Sequence, residues 1–292
     1  MNGPSTDFKI RIITALLIFL SAMLIQCWET QPDPAQNPRK QAETISYNGY
    51  KIHLFPSAEE QLRYARSRFS DPRERRAAFE VVLKCFPESK SVRAGAELEL
   101  AYLKLGIDHR FADRNTCMRA LDTYRQITTR FSDLPEICAK AHWYMGWIHA
   151  DLLNQKRQAI AHYQTVYRRY PDARIKIESP ITWVVLVMPQ IKTEIKDVDK
   201  QKVRYWASLA LLEIIRNSVR EQERWEAFQA LWSDYRTSLA TGYALCALLN
   251  GQTSISPKVI GCARDYLEKQ KLSQPLADEI RKGLIEKKPG VQ

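Results

Sequence analysis

Three histidines come nearest to forming a metal site in this sequence. His142 and His149 are seven residues apart on one predicted helix, and His162 lies on the next helix. A zinc site would need such a face together with a further ligand at suitable spacing. The sequence has no HExxH motif and no carboxylate spaced to complete the set. We therefore predict no metal and interpret the histidines as packing residues.

Acid–base and nucleophilic candidates are present by residue type alone. Glu97 and Glu99 are the carboxylates that a glycosidase-like pair would use, and Cys117 or Cys138 could act as a nucleophile beside a histidine. Nothing in the pattern positions any of them. The sequence also lacks a P-loop, a dinucleotide fingerprint and a GxSxG motif. We therefore predict no catalytic residue and no cofactor.

The cysteines do not follow a metal-binding pattern. Five of them lie beyond the N-terminal segment, at Cys85, Cys117, Cys138, Cys246 and Cys262, and no pair has CxxC spacing. An odd number cannot all pair within one chain. Cys246 and Cys262 fall on neighbouring predicted helices and could meet as a disulfide. The alternative is that each cysteine is a small buried hydrophobic residue.

A spacing pattern that recurs three times indicates which elements carry these residues. An aromatic residue is followed by a β-branched residue, a second aromatic residue and an acid at fixed offsets. The copies are Phe79, Val82, Phe86 and Glu88; Tyr124, Ile127, Phe131 and Asp133; and Tyr163, Val166, Tyr170 and Asp172. A recurring supersecondary unit explains the pattern. Because repeat arrays usually bind other molecules along an extended surface, the pattern favours a docking protein over an enzyme.

Each copy lies at the end of a predicted pair of helices. Ser57 with Glu60 forms a capping box, and Asp71 followed by Pro72 marks the start of the second helix. The six helices of the three pairs are predicted at 57–69, 71–86, 91–105, 113–131, 135–153 and 156–170.

The regions on either side of the pairs have other patterns. Residues 45–54 alternate around Asn48-Gly49, which predicts a small β-hairpin within 45–56. The apolar run 180–189 is too short to span a bilayer, and we interpret it as a buried helix or, alternatively, a buried strand. Further helices are predicted at 197–217, 220–239, 243–249, 257–269 and 275–286.

The third pair resembles a tetratricopeptide repeat, a helix-turn-helix unit of about 34 residues. The small, aromatic and proline positions of that family are matched by Gly146, Ala159, Tyr163, Val166 and Pro171, with one extra residue in the turn. The second pair matches less fully, and the first matches only in its second helix. The resemblance implies an all-α solenoid of helical hairpins.

The resemblance also implies a partner groove, because the first helices of successive tetratricopeptide units line a concave side. The residues that it places there are Leu98, Tyr102, Leu105, Lys140, Trp143 and Trp147. Trp143 and Trp147 are four residues apart and share a helix face. Exposed aromatic residues beside a cation suit a peptide-binding groove. The alternative is that the hairpin or residues 180–189 cover them.

The family alignment bears on the histidines and on the class of protein. It places His142 and His149 at positions where tetratricopeptide units have packing aromatic residues. The aromatic-proline-acid endings are similar to those of exported bacterial repeat proteins, such as the lipoprotein D subunit of the barrel-assembly machinery and the periplasmic coordinator that binds the Tol system. The resemblance to these proteins implies a non-enzymatic adaptor.

The N-terminus reads as an export signal followed by a leash. Lys9 and Arg11 precede an apolar run at 12–25 that rises only about 21 Å as a helix, short of the ~30 Å hydrocarbon core. The run ends at Cys27 in a sequence that resembles the bacterial lipobox, with Gln26 where a small residue is usual. We predict lipidation of Cys27; the alternatives are an uncleaved anchor and an ordinary signal peptide. The proline-rich residues 28–44 are predicted to be flexible.

The formal net charge of +11 favours anionic partners without choosing among them. The densest basic cluster includes Arg63, Arg66, Arg73 and Arg76, close to the leash. It could lie against anionic lipid, and a solvated helix face is the alternative. The lack of interleaved aromatic residues and the export signal argue against nucleic acid.

These observations together predict an all-α, tetratricopeptide-like solenoid with a small N-terminal β-hairpin and a C-terminal helical extension. The predicted regions are the signal 1–27, the leash 28–44, the hairpin 45–56, the repeats 57–173 and the C-terminal helices 174–287. We expect an exported, lipid-anchored adaptor on the periplasmic side of a bacterial membrane, with a protein or peptide partner. The alternatives are a cell-envelope enzyme of the wall-hydrolase type and a purely structural module of a larger complex.

Overall fold

The computed structural model describes residues 43–67, 71–106, 112–175, 205–251, 257–270 and 274–286. Within these ranges the chain is mostly helical, with one two-stranded sheet, which confirms the all-α class. The predicted signal, nearly all of the predicted leash and the apolar run 180–189 lie outside the described residues. The chain divides into the units Met1–Ile45 and Ser46–Gln292, and the described helices all belong to the second.

The strands are β1 (Thr44–Tyr47) and β2 (Tyr50–His53). The helices in chain order are α1 (Ala58–Ser67), α2 (Pro72–Cys85), α3 (Lys90–Leu103), α4 (Arg114–Arg130), α5 (Pro135–Trp147), α6 (Lys156–Arg169), α7 (Trp206–Asn217), α8 (Glu221–Asp234), α9 (Leu239–Gly251), α10 (Pro257–Lys269) and α11 (Gln274–Glu286). A π-helical turn, Ile148–Leu152, continues α5. Because a π turn holds more residues than an α turn, it accommodates the extra residue noted before α6.

The β-hairpin forms around the predicted Asn-Gly turn. Asn48 and Gly49 both have positive φ, 51° and 82°, as a tight two-residue turn requires. Strand β2 packs on α2 and buries Ile52 completely. The buried side chain of Gln61 donates to the carbonyl of His53 at 3.0 Å, which fixes the hairpin to α1.

Helix starts follow the capping signals in the sequence. The Asp71 carboxylate accepts from the backbone N–H of Arg73 at 2.8 Å, ahead of Pro72 at the first position of α2. Asp113 accepts in the same way from Thr116 at 2.7 Å at the start of α4. These caps satisfy backbone donors that have no partner inside the helix.

Four of the helices end with the same backbone geometry. In α2, α4, α6 and α8 an aromatic residue donates its N–H to the carbonyl four residues earlier, and its own carbonyl accepts from the N–H three residues later. The four residues are Phe86, Phe131, Tyr170 and Tyr235. The first three carry the pattern read from the sequence. The fourth, with Phe228 and Leu231 at the same offsets, was missed.

The helices pack in a regular order. Each helix contacts the next, and the odd-numbered helices α1, α3, α5, α7, α9 and α11 also contact one another in series. The first aromatic residues of the four copies, Phe79, Tyr124, Tyr163 and Phe228, are at most 1% exposed, so they fill equivalent positions within the hairpins.

The boundaries in the C-terminal half differ from the prediction for three helices. The predicted helix 243–249 is longer at both ends, because α9 covers Leu239–Gly251. The predicted helix 220–239 ends at Asp234, because Tyr235 caps it and α9 begins at Leu239. The described part of the predicted helix 197–217 begins at Trp206, whose N–H donates to the carbonyl of Ala173 at 3.0 Å. Ala173, just after the third hairpin, and Trp206, at the start of α7, are therefore adjacent.

Candidate functional site

Three of the six predicted groove residues lie in the core. Leu98, Leu105 and Trp143 are at most 3% exposed. The indole of Trp143 packs against that of Trp206, with ring centroids 5.8 Å apart, because α7 covers this side of α5. These three side chains stabilise the chain's own interior and are not available to a partner, so the groove as predicted has to be corrected.

The other three residues lie together between α3 and α5. The ring of Tyr102 is 6.2 Å from that of Trp147 and 5.5 Å from that of Tyr144, and the Lys140 ammonium lies 5.7 Å from the Tyr144 ring centroid. Lys140, Tyr144 and Trp147 occupy one face of α5 because they are spaced by four and three residues. Tyr102, Lys140 and Trp147 remain partly exposed.

Glu99 stands at the centre of this region and is only 6% exposed. Its carboxylate accepts from the Lys140 ammonium at 2.7 Å and forms ion pairs with Arg75 at 3.5 Å and Arg66 at 3.9 Å. The four residues come from α3, α5, α2 and α1, so one buried carboxylate joins four helices. We call Glu99, Tyr102, Lys140, Tyr144 and Trp147 the α3–α5 cluster.

The electrostatics of the α3–α5 cluster follow from burial and from the cations. Burial alone would raise the pKa of Glu99, but Lys140 and Arg66 outweigh it, and the pKa lies below its usual value. Burial raises the pKa of Tyr102 to about 12, against the opposing effect of Arg75. At neutral pH the carboxylate is therefore ionised and the phenol is protonated.

The four arginines predicted to form a basic surface do not all face solvent. Arg63, Arg73 and Arg76 are exposed, whereas Arg66 turns inward to Glu99 and its side chain is 26% exposed. Arg76 also donates to the backbone carbonyl of Leu103 at 3.4 Å. Arg66 therefore forms an ion pair with Glu99 of the α3–α5 cluster, and the solvent-facing cations of this group are the other three.

The carboxylates that the sequence offered for catalysis are held by cations. Glu97 pairs with Arg130 at 2.8 Å and with Arg93 at 3.1 Å. A general acid at neutral pH needs a raised pKa, and the pKa of Glu99 is lowered. The two side chains therefore have the surroundings of structural ion pairs.

The surroundings of the two candidate cysteines do not activate their thiols. Burial raises the pKa of both the Cys117 and the Cys138 thiols, although a nucleophilic cysteine needs a lowered one. Cys246 and Cys262 are unbonded, so the disulfide considered from the sequence is absent. Within the described ranges, no three or more histidine, cysteine or acidic side chains are placed to hold a metal ion.

A second aromatic surface, between α8 and α10, was missed by the sequence reasoning. Trp225, Phe228 and Trp232 line one wall of an open groove of about 800 Å³, and Lys258 with Gly261 lies on the other wall. The aromatic rings contact one another in series at tilted angles of 33° and 34°, with centroids 5.6 Å and 5.9 Å apart. Their spacing of three and four residues was the available signal.

Comparison of the chain with protein-family models, with curated proteins and with solved structures gives no match. Among the residues that the structure describes, no helix combines the length and apolar character needed to cross a membrane.

Proposed function

We propose that this protein is a helical-hairpin solenoid of the tetratricopeptide type. Three observations support the proposal: four hairpins end in the same cap, the odd-numbered helices contact one another in series, and the aromatic residue of each copy is buried at an equivalent position. Gly146 supports it further, because a Cβ at this position would lie 2.5 Å from the Tyr163 ring, as expected of a close helix pair.

The function that this architecture supports best is that of a non-enzymatic adaptor for a protein or peptide. The observation that carries it is the α3–α5 cluster, in which two hairpins bring partly exposed aromatic rings together next to a cation. Aromatic side chains in such places supply most of the energy of many interfaces. The odd-numbered helices that carry the cluster would form the partner-facing layer.

The proposal extends to a place in the cell. A cleaved signal and a lipid on Cys27 would tether the protein to the periplasmic side of a bacterial membrane, with residues 28–44 as the leash. Arg63, Arg73 and Arg76 are exposed and could contact anionic lipid headgroups there. Mass analysis of the mature N-terminus from envelope fractions tests this part, because an acylated Cys27 and an intact Met1 give different masses.

The test of the adaptor function is Trp147→Ala in the full-length chain. We expect retention of the partner from solubilised bacterial membranes to fall about tenfold to thirtyfold, because the indole supplies exposed apolar surface. Helicity should stay nearly unchanged. The measurement is a quantitative pull-down, with the captured proteins compared between wild type and variant by mass spectrometry.

Two matched tryptophans serve as controls for this test. Trp232→Ala alters the other aromatic groove and should leave retention unchanged. Trp143→Ala removes a core side chain and should cost about 3–5 kcal/mol of unfolding free energy. If Trp147→Ala behaves like Trp143→Ala, losing stability and retention together, the residue is core and the adaptor surface is elsewhere.

A further inference from the structure

Three imidazoles contact one another where α5 and the π turn that continues it pack against α6. The Nδ1 atoms of His142 and His162 are 3.2 Å apart. The His149 ring stacks on the His162 ring, with centroids 5.4 Å apart and an interplanar angle of 11°. The other face of the group meets Tyr170, whose ring lies 6.1 Å from that of His142. The hairpin is thus closed by side chains that can become charged.

The contact between His142 and His162 can hold only one hydrogen. One Nδ1 donates and the other accepts, so the contact is satisfied when at least one ring is neutral. When both rings are protonated, two N–H groups point at each other and two positive charges lie in contact. His149 is fixed separately, because its Nδ1 contacts Gln155 Oε1 at 2.8 Å.

The surrounding charges oppose protonation. In addition to burial, Arg125 on α4 lowers the pKa of His149 and of His162, and Arg169 on α6 lowers the pKa of His142. The acidic groups on neighbouring elements are directed elsewhere. Glu99 on α3 pairs with Lys140. Glu213 on α7 forms an ion pair with Arg216 on α7. Burial, together with Glu213 and with Asp151 on the π turn, raises the pKa of Tyr163.

The pKa values of His142 and His162 are lowered in the folded protein, so the fold loses stability in acid. Burial, with Arg169, lowers the pKa of His142 to about 4, and burial, with the other two histidines and Arg125, lowers that of His162 to about 4. A group whose pKa is lower in the folded state stabilises the fold above its unfolded pKa, near 6.5. That contribution is lost as the pH falls from about 6.5 towards about 4.

We propose that His142, His149 and His162 form an acid-sensitive joint, at which proton uptake separates α5 from α6. The joint lies within the third hairpin, so the loosening begins there. Helices α8 and α9 belong to later hairpins and carry no histidine. They should keep their protection over the same pH range.

Hydrogen exchange of the full-length chain between pH 7.5 and 4.5 tests the joint. We expect protection factors of α5 and α6 amides, corrected for intrinsic exchange, to fall about tenfold per pH unit below pH 6 for each proton taken up. Protection in α8 and α9 should change much less. An equal loss in all four helices would overturn the proposal, since it would show general acid unfolding.

Substitutions separate the histidines from other acid-sensitive groups. The double variant His142→Phe and His162→Phe should keep its α5–α6 protection down to pH 4.5. His162→Gln is a second variant, for use if the double variant is destabilised at pH 7.5. In this variant the fall in α5–α6 protection per pH unit should be smaller by the share of about one proton. His53→Gln, which changes an exposed histidine on β2, should leave the slope as in wild type. A wild-type slope in the substituted hairpins would overturn the proposal.

Discussion

Replacing Glu99 by Gln is expected to lower the free energy of unfolding by about 3 kcal/mol, because the change leaves three partly buried cations without their shared, buried carboxylate. Lys140, Arg66 and Arg75 converge on this one side chain, and their side chains are 15–26% exposed. Water therefore screens their mutual repulsion only in part. Urea denaturation at pH 7.5, with the loss read from the midpoint at constant slope, gives the value.

The matched control is Glu97→Gln, two residues away on α3. Its partners Arg93 and Arg130 are 43% and 45% exposed, so the expected loss is below about 1 kcal/mol. Equal losses of unfolding free energy in the two variants would show that the ion pairs of Glu99 stabilise the fold no more than those of Glu97. Adding Lys140→Met to Glu99→Gln should restore part of the stability, because it removes one of the unpaired charges.

The Glu99 effect has a pH signature of its own. Its pKa is lowered in the folded protein, so its contribution is complete above its unfolded pKa, near 4.5, and is lost as the pH falls through the lower folded value. The difference between wild type and Glu99→Gln should therefore shrink only in strong acid. The histidine joint responds at higher pH, which allows the two groups to be told apart in one titration.

The helical hairpins could be predicted because each depends on local signals. Fixed aromatic offsets, caps such as Asp71 and stops such as Pro87 define helix ends without reference to distant contacts. The fourth copy escaped notice because Tyr235 is followed by Arg236, where two of the earlier copies have proline. Its cap is nevertheless the same, since both hydrogen bonds that define it are made by backbone atoms.

The candidate site could be predicted only in part, because burial depends on helices far along the chain. Trp143 and Trp147 share one face of α5 in the sequence, yet Trp206 of α7 covers the first and leaves the second partly exposed. No local pattern contains that information. The ion pairs of Glu99 are equally non-local, because their cations come from three other helices.

Long-range packing therefore decides which repeated residues stabilise the chain and which remain available to a partner. Tyr144 shows both roles, since it is 3% exposed and stacks on Tyr124 inside the second and third hairpins while supporting Tyr102 at the surface. The rigidity of such buried rings is what would hold Tyr102 and Trp147 in position for binding. A change in hairpin packing should thus affect the surface as well as the stability.

Gly146→Ala should be the most damaging small substitution on α5, with an expected loss of about 2–3 kcal/mol. The added Cβ would lie 2.5 Å and 2.8 Å from atoms of the Tyr163 ring, which is itself 1% exposed and has no room to move. The loss exceeds the gain of about 1 kcal/mol that alanine normally brings to a helix interior. Thermal and urea unfolding both measure it.

Gly261→Ala makes the same chemical change on α10 and should have the opposite sign. A Cβ at this position meets nothing within 4 Å, so only the helix preference for alanine remains, and stability should rise by about 0.5–1 kcal/mol. Opposite shifts in the two variants would tie the loss at Gly146 to its contact with Tyr163. A rise in both variants would mean that α5 and α6 are not packed as closely as described, and the hairpins would then not be equivalent at the Gly146–Tyr163 contact.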